Sequence, residues 1–478
     1  MKRLEFLKAL LAAAAMGLLV SGCAAPTAPD LPAATATAPA PATAPDALTA
    51  PWWRSFGSAE LDGLVEQAGA QSVDVAAAAA RVRQAEASAR MAGAARWPGV
   101  TAGLDAARQG RMGGTGSTGG AAEVSGSSFA ASLRASYELD FWGGNRAGHD
   151  SALASLRASG FERDTVRLTT TAGVADAWLQ AVSLRERTAI GARNLHNAQR
   201  VLALVEARAR AGAATPLELA QQRGLVAGQQ KTLAALQQQA GDARTALAVW
   251  SGQPVFGFDI AAASLDALRE PGIGAGLPSD LLARRPDIAR AEALLAAADA
   301  DITVARAAML PRVTLGAGAG LSSGRWRSLF DSPVYSLAAG LAAPIFDAGR
   351  LAAGRDLALA RREELLAGYR SAVVAAFADT AKALDAVAGI DLQRNAQAEE
   401  LRQAARAFTL AQSRYKAGAE TLLVLLDAQR TLYAAQDAAV QLKAQRLQAS
   451  VALYRALGGG WQPASARVSA AAGAEVSP

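Results

Sequence analysis

Residues 127–141 alternate between apolar and polar side chains, whereas the segments on either side of them do not. Leu133 and Tyr137 are among the apolar alternates, and Ser132, Arg134 and Glu138 are among the polar ones. This period of two predicts a strand of about 15 residues with one apolar and one polar face. Three further stretches alternate in the same way, with apolar positions at Val100, Ala102, Leu104 and Ala106; at Val313, Leu315, Ala317, Ala319 and Leu321; and at Tyr335, Leu337, Ala339, Leu341 and Ala343.

Two long helices are predicted after the strand pairs. One begins near Gly143 and continues to about Arg210, and the other begins near Asp347 and continues to about Lys416, both without proline. At a rise of 1.5 Å per residue each helix would be about 100 Å long. Such lengths exceed what a compact domain needs and favour an extended helical structure.

The last helical segment shows how these helices pack. Apolar residues recur every seventh position at Leu426, Tyr433, Val440, Leu447 and Tyr454. A second apolar stripe with alternating spacings of four and three residues lies beside the first. Together they form an apolar arc wider than a two-helix seam, which predicts neighbouring helices on both sides.

The order of predicted elements occurs twice, and parts of the sequence recur with it. Residues 74–80 resemble 287–293, and residues 208–219 resemble 414–425. We therefore predict two internal repeats, each made of a helix, two strands, a long helix and a shorter helix. The expected bounds are 52–279 for the first repeat, with its hairpin at 97–141, and 280–460 for the second, with its hairpin at 312–345.

The composition favours a mainly helical chain whose helices pack closely through small side chains. Hydrophobic residues make up 51% of the 478 residues, whereas aromatic residues supply only 5%. The net charge is +6, and the charges are dispersed without a basic stripe, so nucleic acid is not indicated as a partner.

The first residues resemble a bacterial lipoprotein signal. A basic start is followed by a short apolar run and by the stretch Val20-Ser-Gly-Cys23, which is similar to a lipobox. We predict a signal peptide over 1–22 and lipidation of Cys23, and Ala24 resembles the residue found in lipoproteins sent to the outer membrane. An ordinary signal peptide with an incidental cysteine is the alternative. Residues 23–51 would form a Pro/Ala-rich linker, and 461–478 a C-terminal tail.

Four strands with one apolar face are too few to close a barrel, because closure takes about eight. Open strand edges in lipid would leave backbone groups unpaired, so other copies of the chain would have to complete the barrel. Four aromatic residues near the predicted strand ends fit a membrane interface: Trp97, Trp142, Trp326 and Tyr335. A water-soluble sandwich of two hairpins is the alternative, and it would not explain the long helices.

Several motifs resemble the outer-membrane factor family, the TolC-like group, in its NodT-type lipoprotein branch. They are WWRSF at 52–56, YELDFWG at 137–143, LPSDLLARRPDI at 277–288, APIFDAGR at 343–350, RYKAG at 414–418 and LLDAQR at 425–430. The resemblance covers nearly all of the chain beyond the linker. It implies a homotrimer with a twelve-stranded barrel in the outer membrane above a helical tunnel in the periplasm. It also implies a periplasmic adaptor and an inner-membrane pump of the RND type as partners.

The resemblance also implies roles for residues at the far end of the helices. The turns near Gly212 and Gly418, which fit helix C-caps, would dock the adaptor. The residues assigned to this role are Gly212, Thr215, Gly418 and Thr421. Three further residues would close the tunnel aperture: Tyr415, Leu423 and Asp427. For Asp427 the alternative is a solvated charge on a helix.

Catalytic, metal and cofactor sites are not indicated. The only histidines, His149 and His196, lie far apart on predicted helices. The segment Gly114–Gly119 fits a dinucleotide fingerprint but lies between hairpin strands and opens no helix, which favours a loop. The run Arg284-Arg285-Pro286-Asp287 could indicate an anion site, but Pro286 is better explained as a helix start with Asp287 complementing the helix dipole.

The predicted function is therefore that of an outer-membrane efflux duct. An exit duct for type I secretion is a variant of this prediction. A structural envelope lipoprotein without a pore is the alternative of a different class, and it would not require membrane strands. Five methionines and two histidines give no support for metal efflux.

Overall fold

The computed structural model describes residues 51–110, 126–272 and 284–461. Cys23, the predicted signal peptide, the linker up to residue 50 and the loop Gly114–Gly119 lie outside these ranges. The helices and strands follow in the order α1 Ala59–Gln71, α2 Val73–Ala94, β1 Gly99–Gln109, β2 Gly126–Leu139, α3 Gly144–Arg210, α4 Pro216–Ser251, α5 Pro286–Ala307, β3 Arg312–Ser323, β4 Pro333–Ala342, α6 Arg350–Lys416 and α7 Leu422–Ala456. Short 3₁₀ helices lie at Trp52–Phe56, Leu265–Ala267 and Trp326–Ser328.

The two long helices are confirmed. Helices α3 and α6 each contain 67 residues. Each begins where an aspartate from the preceding loop accepts backbone N–H groups of the first turn. Asp140 accepts from Arg146 (2.8 Å), and Asp347 accepts from Leu351 (2.9 Å). A carboxylate in this position satisfies otherwise free N–H groups and favours the helix dipole, so it fixes the junction between strand and helix. No helix within the described ranges is both long and apolar enough to cross a membrane.

The four strands form one antiparallel sheet in the order β1-β2-β3-β4. Its register places the predicted apolar alternates of all four strands on the same face. One apolar row runs through Ala102, Leu133, Ala319 and Tyr335. The adjacent row on the other face runs through Thr101, Arg134, Gly318 and Ser336. Within the described residues, the outer edges of β1 and β4 have no partner strand.

The largest core lies about halfway along α3, where α1, α4 and α7 pack around it. Trp178 is fully buried there, and its indole N–H donates to Glu60 (3.1 Å). Trp52 stacks on Tyr454 with ring centroids 5.1 Å apart. Trp52 and Phe56 are therefore packing anchors of this core.

Helix α7 buries the predicted seven-residue stripe. All five of its members are buried: Leu426, Tyr433, Val440, Leu447 and Tyr454. Ion pairs extend from α7 in two directions. Arg187 on α3 pairs with Asp437 (2.6 Å), and Arg446 pairs with Asp391 on α6 (2.8 Å). The helix thus has a neighbour on each side, which confirms the expectation from its wide apolar arc.

Candidate functional site

The turns that end the long helices are tight and nearly identical in backbone. Gly212 has φ of 74° and Gly418 has φ of 76°, a left-handed conformation that favours glycine. The N–H of Ala213 donates to the carbonyl of Arg208 (2.8 Å), and the second turn repeats this bond. The prediction that Gly212 and Gly418 cap the C-terminal ends of the two long helices is therefore confirmed.

Side chains fix the two turns differently. Thr215 and Glu218 form a reciprocal capping box: the Thr215 hydroxyl accepts from the Glu218 N–H (3.2 Å), and the Glu218 carboxylate accepts from the Thr215 N–H (2.7 Å). Thr421 makes no side-chain cap bond. The second turn is instead spanned by an ion pair between Arg414 and Glu420 (3.5 Å), which is exposed and therefore weak. The second turn is thus the less firmly fixed of the two.

Tyr415 lies inside the core below these turns rather than on the surface. Only 1% of it is exposed, and its hydroxyl has no hydrogen-bond partner among the described residues. Burial raises the pKa of this hydroxyl, and Arg208 opposes the shift. The guanidinium of Arg208 lies 4.6 Å from the ring centroid and donates to the Tyr415 carbonyl (2.9 Å). This contact joins the end of α3 to the end of α6.

Arg208 was not among the predicted site residues. It occupies the position that matches Arg414 in the recurring stretch, and this match was the available signal. The match could not show that one arginine would cover a tyrosine ring while the other pairs with a glutamate, because that difference depends on how the two hairpins pack.

Leu423 and Asp427 lie on an exposed face of α7, one helical turn apart. Leu423 is 66% exposed. Asp427 makes no hydrogen bond or ion pair within the described ranges, and Arg430, three residues on, is exposed and likewise has no partner there. The structure therefore brings Leu423 and Asp427 together and separates both from Tyr415.

The other end of the long helices carries the sheet, whose apolar face is largely open to solvent. Leu337 and Leu104, for example, are both about four-fifths exposed. Three exposed aromatic residues lie at the two ends of the strands: Trp97 and Trp142 at the helix end, and Trp326 at the far end. Tyr335 is also exposed and lies two residues into β4, in the same row as Leu133. A contiguous exposed apolar surface with aromatic side chains at both borders is typical of contact with a membrane.

A sheet of this kind, carried by helices of about 100 Å that end in tight turns, defines the class of outer-membrane channel proteins. The chain belongs to the outer membrane efflux protein family, whose model matches residues 64–253 and 277–459.

Relatives and solved structures match over most of their length. The chain is 55% identical over 414 residues to the pyoverdine export outer membrane protein OpmQ of Pseudomonas aeruginosa, covering 86% of this chain and 87% of the relative. It is 51% identical over 456 residues to the OpmQ protein of Pseudomonas putida, covering 94% and 96%. The solved structure of the outer-membrane channel OprN is 29% identical, with a TM-score of 0.81, and the match covers 91% of this chain and all of that one. The chain is thus an outer-membrane efflux channel.

Proposed function

We propose that three copies of the chain form one continuous channel. The open outer edges of β1 and β4 support this, because each can pair with the other edge of a neighbouring copy and so satisfy its backbone groups. Three sheets of four strands would close a barrel with the apolar face toward lipid and the polar, glycine-rich face toward the lumen.

The surface of α6 supports the same assembly below the sheet. Three exposed apolar residues lie along it at intervals of 18 residues, Val374, Leu392 and Leu410, and a fourth, Leu357, lies 17 residues before the first. Eighteen residues are five helical turns, so Val374, Leu392 and Leu410 share one line on the helix, whereas Leu357 lies about 100° away from it. A line of exposed apolar side chains along a long helix fits packing against a helix of the next copy.

In this assembly the turns at 211–215 and 417–421 would dock a periplasmic adaptor that links the channel to an RND-type inner-membrane pump. Gly212, Thr215, Gly418 and Thr421 would present the docking surface. The exposure of both turns supports this role, as does the family to which the chain belongs. Type I secretion remains a variant, while the membrane-type sheet argues against a tether without a pore.

The proposed cargo is pyoverdine or a molecule of closely similar chemistry. The observation that carries this proposal is that two relatives with more than 50% identity are named for pyoverdine export. They match over 86% and 94% of this chain, so the similarity includes the helices and the strands rather than one segment.

Expression of this chain in a Pseudomonas aeruginosa strain lacking OpmQ is expected to restore pyoverdine export. Secreted pyoverdine is measured by its fluorescence in the medium and compared with the amount retained in the periplasm. The empty vector is the control, and immunoblotting of outer-membrane fractions checks that the channel is present. Periplasmic retention despite normal outer-membrane levels would contradict the cargo proposal, while leaving the channel proposal intact.

Cys23→Ser is expected to remove the lipid anchor without preventing trimer formation, because barrel insertion depends on the strands. Metabolic labelling with a radioactive fatty acid checks the acyl chain, and light scattering of the detergent-purified protein checks the trimer. Retained label in the Cys23→Ser variant would contradict lipidation at Cys23. A variant that purifies only as a monomer would show that the anchor is required for assembly.

A further inference from the structure

A charged cleft lies about a third of the way along α3 from the sheet, away from both the sheet and the turns. Its volume is about 400 Å³, and α3, α5, α6 and α7 all contribute to its walls. Apolar side chains such as Leu168 and Ala383 form part of the lining, and Thr165 and Thr169 contribute hydroxyl groups. Three cations and two carboxylates complete it, so positive charge is in excess by one. The proposed export function uses none of these residues.

Both carboxylates of the cleft are already engaged by one arginine. Arg285 is 9% exposed and forms a bidentate pair with Asp287 at 3.0 and 2.7 Å. Its terminal nitrogens also donate to Asp379 (3.3 and 3.4 Å) and to the carbonyl of Ala456 (3.2 Å). Each nitrogen of the guanidinium therefore has a partner, and Arg285 neutralises the acidic side of the cleft rather than offering donors to a ligand.

The other two cations of the cleft are not neutralised in this way. Lys382 on α6 and Arg455 on α7 make no side-chain hydrogen bond or ion pair within the described part of the chain. Asp176 is close enough to feel the charge of Arg455 but does not form an ion pair with it. Burial raises the pKa of Asp176 to about 6, and Arg455 opposes this shift. Two exposed cations from different helices thus converge on one cleft with their donors free.

We propose that this cleft binds a small, water-soluble organic anion through a carboxylate or phosphate group held between Lys382 and Arg455. Oxyanions accept charge-assisted hydrogen bonds from these two side chains. The hydroxyl of Thr169 can donate a further one, whereas that of Thr165 already donates to the Phe161 carbonyl (2.9 Å). The volume exceeds that of an inorganic anion and leaves room for an attached group against the apolar walls.

The position of the cleft favours a soluble anion over a lipid headgroup as its ligand. Thr165 lies about 30 Å along α3 from Gly144, the end of the helix next to the sheet. If the sheet lies in the membrane, as proposed above, lipid headgroups cannot reach the cleft. This exclusion rests on the proposed function, but binding of a soluble anion does not, because it requires no channel.

Binding is tested on the full-length protein in uncharged detergent by isothermal titration calorimetry at pH 7. The probes are inorganic phosphate and succinate, titrated at constant ionic strength set with chloride so that general screening cancels. We expect saturable binding of at least one probe by the wild type. Lys382→Gln and Arg455→Gln are each expected to weaken it about tenfold or more, because each loses a hydrogen bond between charged groups. Lys231→Gln and Arg200→Gln remove exposed charges elsewhere on α4 and α3 and serve as matched controls.

Three results would overturn the proposal. The first is the absence of saturable binding of either probe by a wild-type protein that is folded by circular dichroism. The second is equal weakening by the cleft variants and the controls, which would indicate general charge attraction. The third is binding of nanodiscs containing phosphatidylglycerol that depends on Lys382 and Arg455 while the soluble probes do not bind.

Discussion

Lysine in place of Leu133 is expected to destabilise the membrane-inserted channel by about 2–4 kcal/mol per copy, whereas lysine in place of Ser132 is expected to be tolerated. Leu133 lies near the middle of β2 on the apolar face and is 53% exposed. A charged side chain at that depth would face hydrocarbon in the proposed trimer. Ser132 is on the opposite face, in a row with Gly103 and Gly320, where small neighbours leave room for a longer side chain and where the lumen is wet.

The two variants differ by one position in the chain, so expression and strand propensity are closely matched. The measurement is the denaturant dependence of folding into lipid vesicles, together with the yield of trimer in outer membranes. Equal stability of the Leu133→Lys and Ser132→Lys variants would show that the sheet has no lipid-facing side. A larger loss at Ser132 would show that the two faces are reversed.

The strands and long helices could be predicted because local patterns determine them. The alternation around Leu133 and Tyr137 sets the faces of β2, and the absence of proline together with Asp140 and Asp347 sets where the long helices run. The sequence predicts which residues of each strand share the apolar face, and the structure shows in addition which residues of neighbouring strands are paired. The pairing places all four predicted apolar sets on one face.

The details of the turns could not be predicted in the same way. The sequence places Tyr415, Leu423 and Asp427 in one motif, but Tyr415 lies in the core and the other two lie on an exposed face. The difference arises from packing between the two hairpins, where Arg208 covers the tyrosine ring. Contacts between residues about 200 positions apart leave no local pattern to detect.

The run from Arg284 to Asp287 shows the same limit. The expectation that Pro286 begins a helix is confirmed, since α5 begins there. The accompanying expectation that Asp287 serves the helix dipole is incomplete, because Asp287 also pairs with the neighbouring Arg285. The remaining partners of Arg285, Asp379 and the Ala456 carbonyl, come from distant helices.

Opening of the proposed aperture is expected when Asp427 is changed to alanine. In the closed trimer we propose that each Asp427 pairs with Arg430 of a neighbouring copy, because both side chains are exposed and lack partners within the described chain. Arg414 is less suited to this role, since it already pairs with Glu420. Loss of the pair leaves one charge uncompensated near the axis and removes a contact between copies. Single-channel conductance in a planar bilayer is expected to rise severalfold for Asp427→Ala and for Arg430→Ala.

The exchange variant, Asp427→Arg combined with Arg430→Asp, is expected to return conductance toward the wild-type value, because it restores opposite charges at the two positions.

Leu423→Ser is expected to raise conductance by wetting an apolar constriction. Leu217→Ser on the first hairpin is its matched control, since Leu217 is equally exposed at 66% and occupies the corresponding position just after the turn at 211–215. Tyr415→Phe is expected to leave conductance unchanged, because the hydroxyl it removes is buried and has no partner among the described residues. Wild-type conductance in the Asp427, Arg430 and Leu423 variants would show that the gate lies elsewhere. These residues would then be exposed side chains of α7 without a role in closing the channel. A rise for Leu217→Ser equal to that for Leu423→Ser would instead show that both hairpins form the aperture.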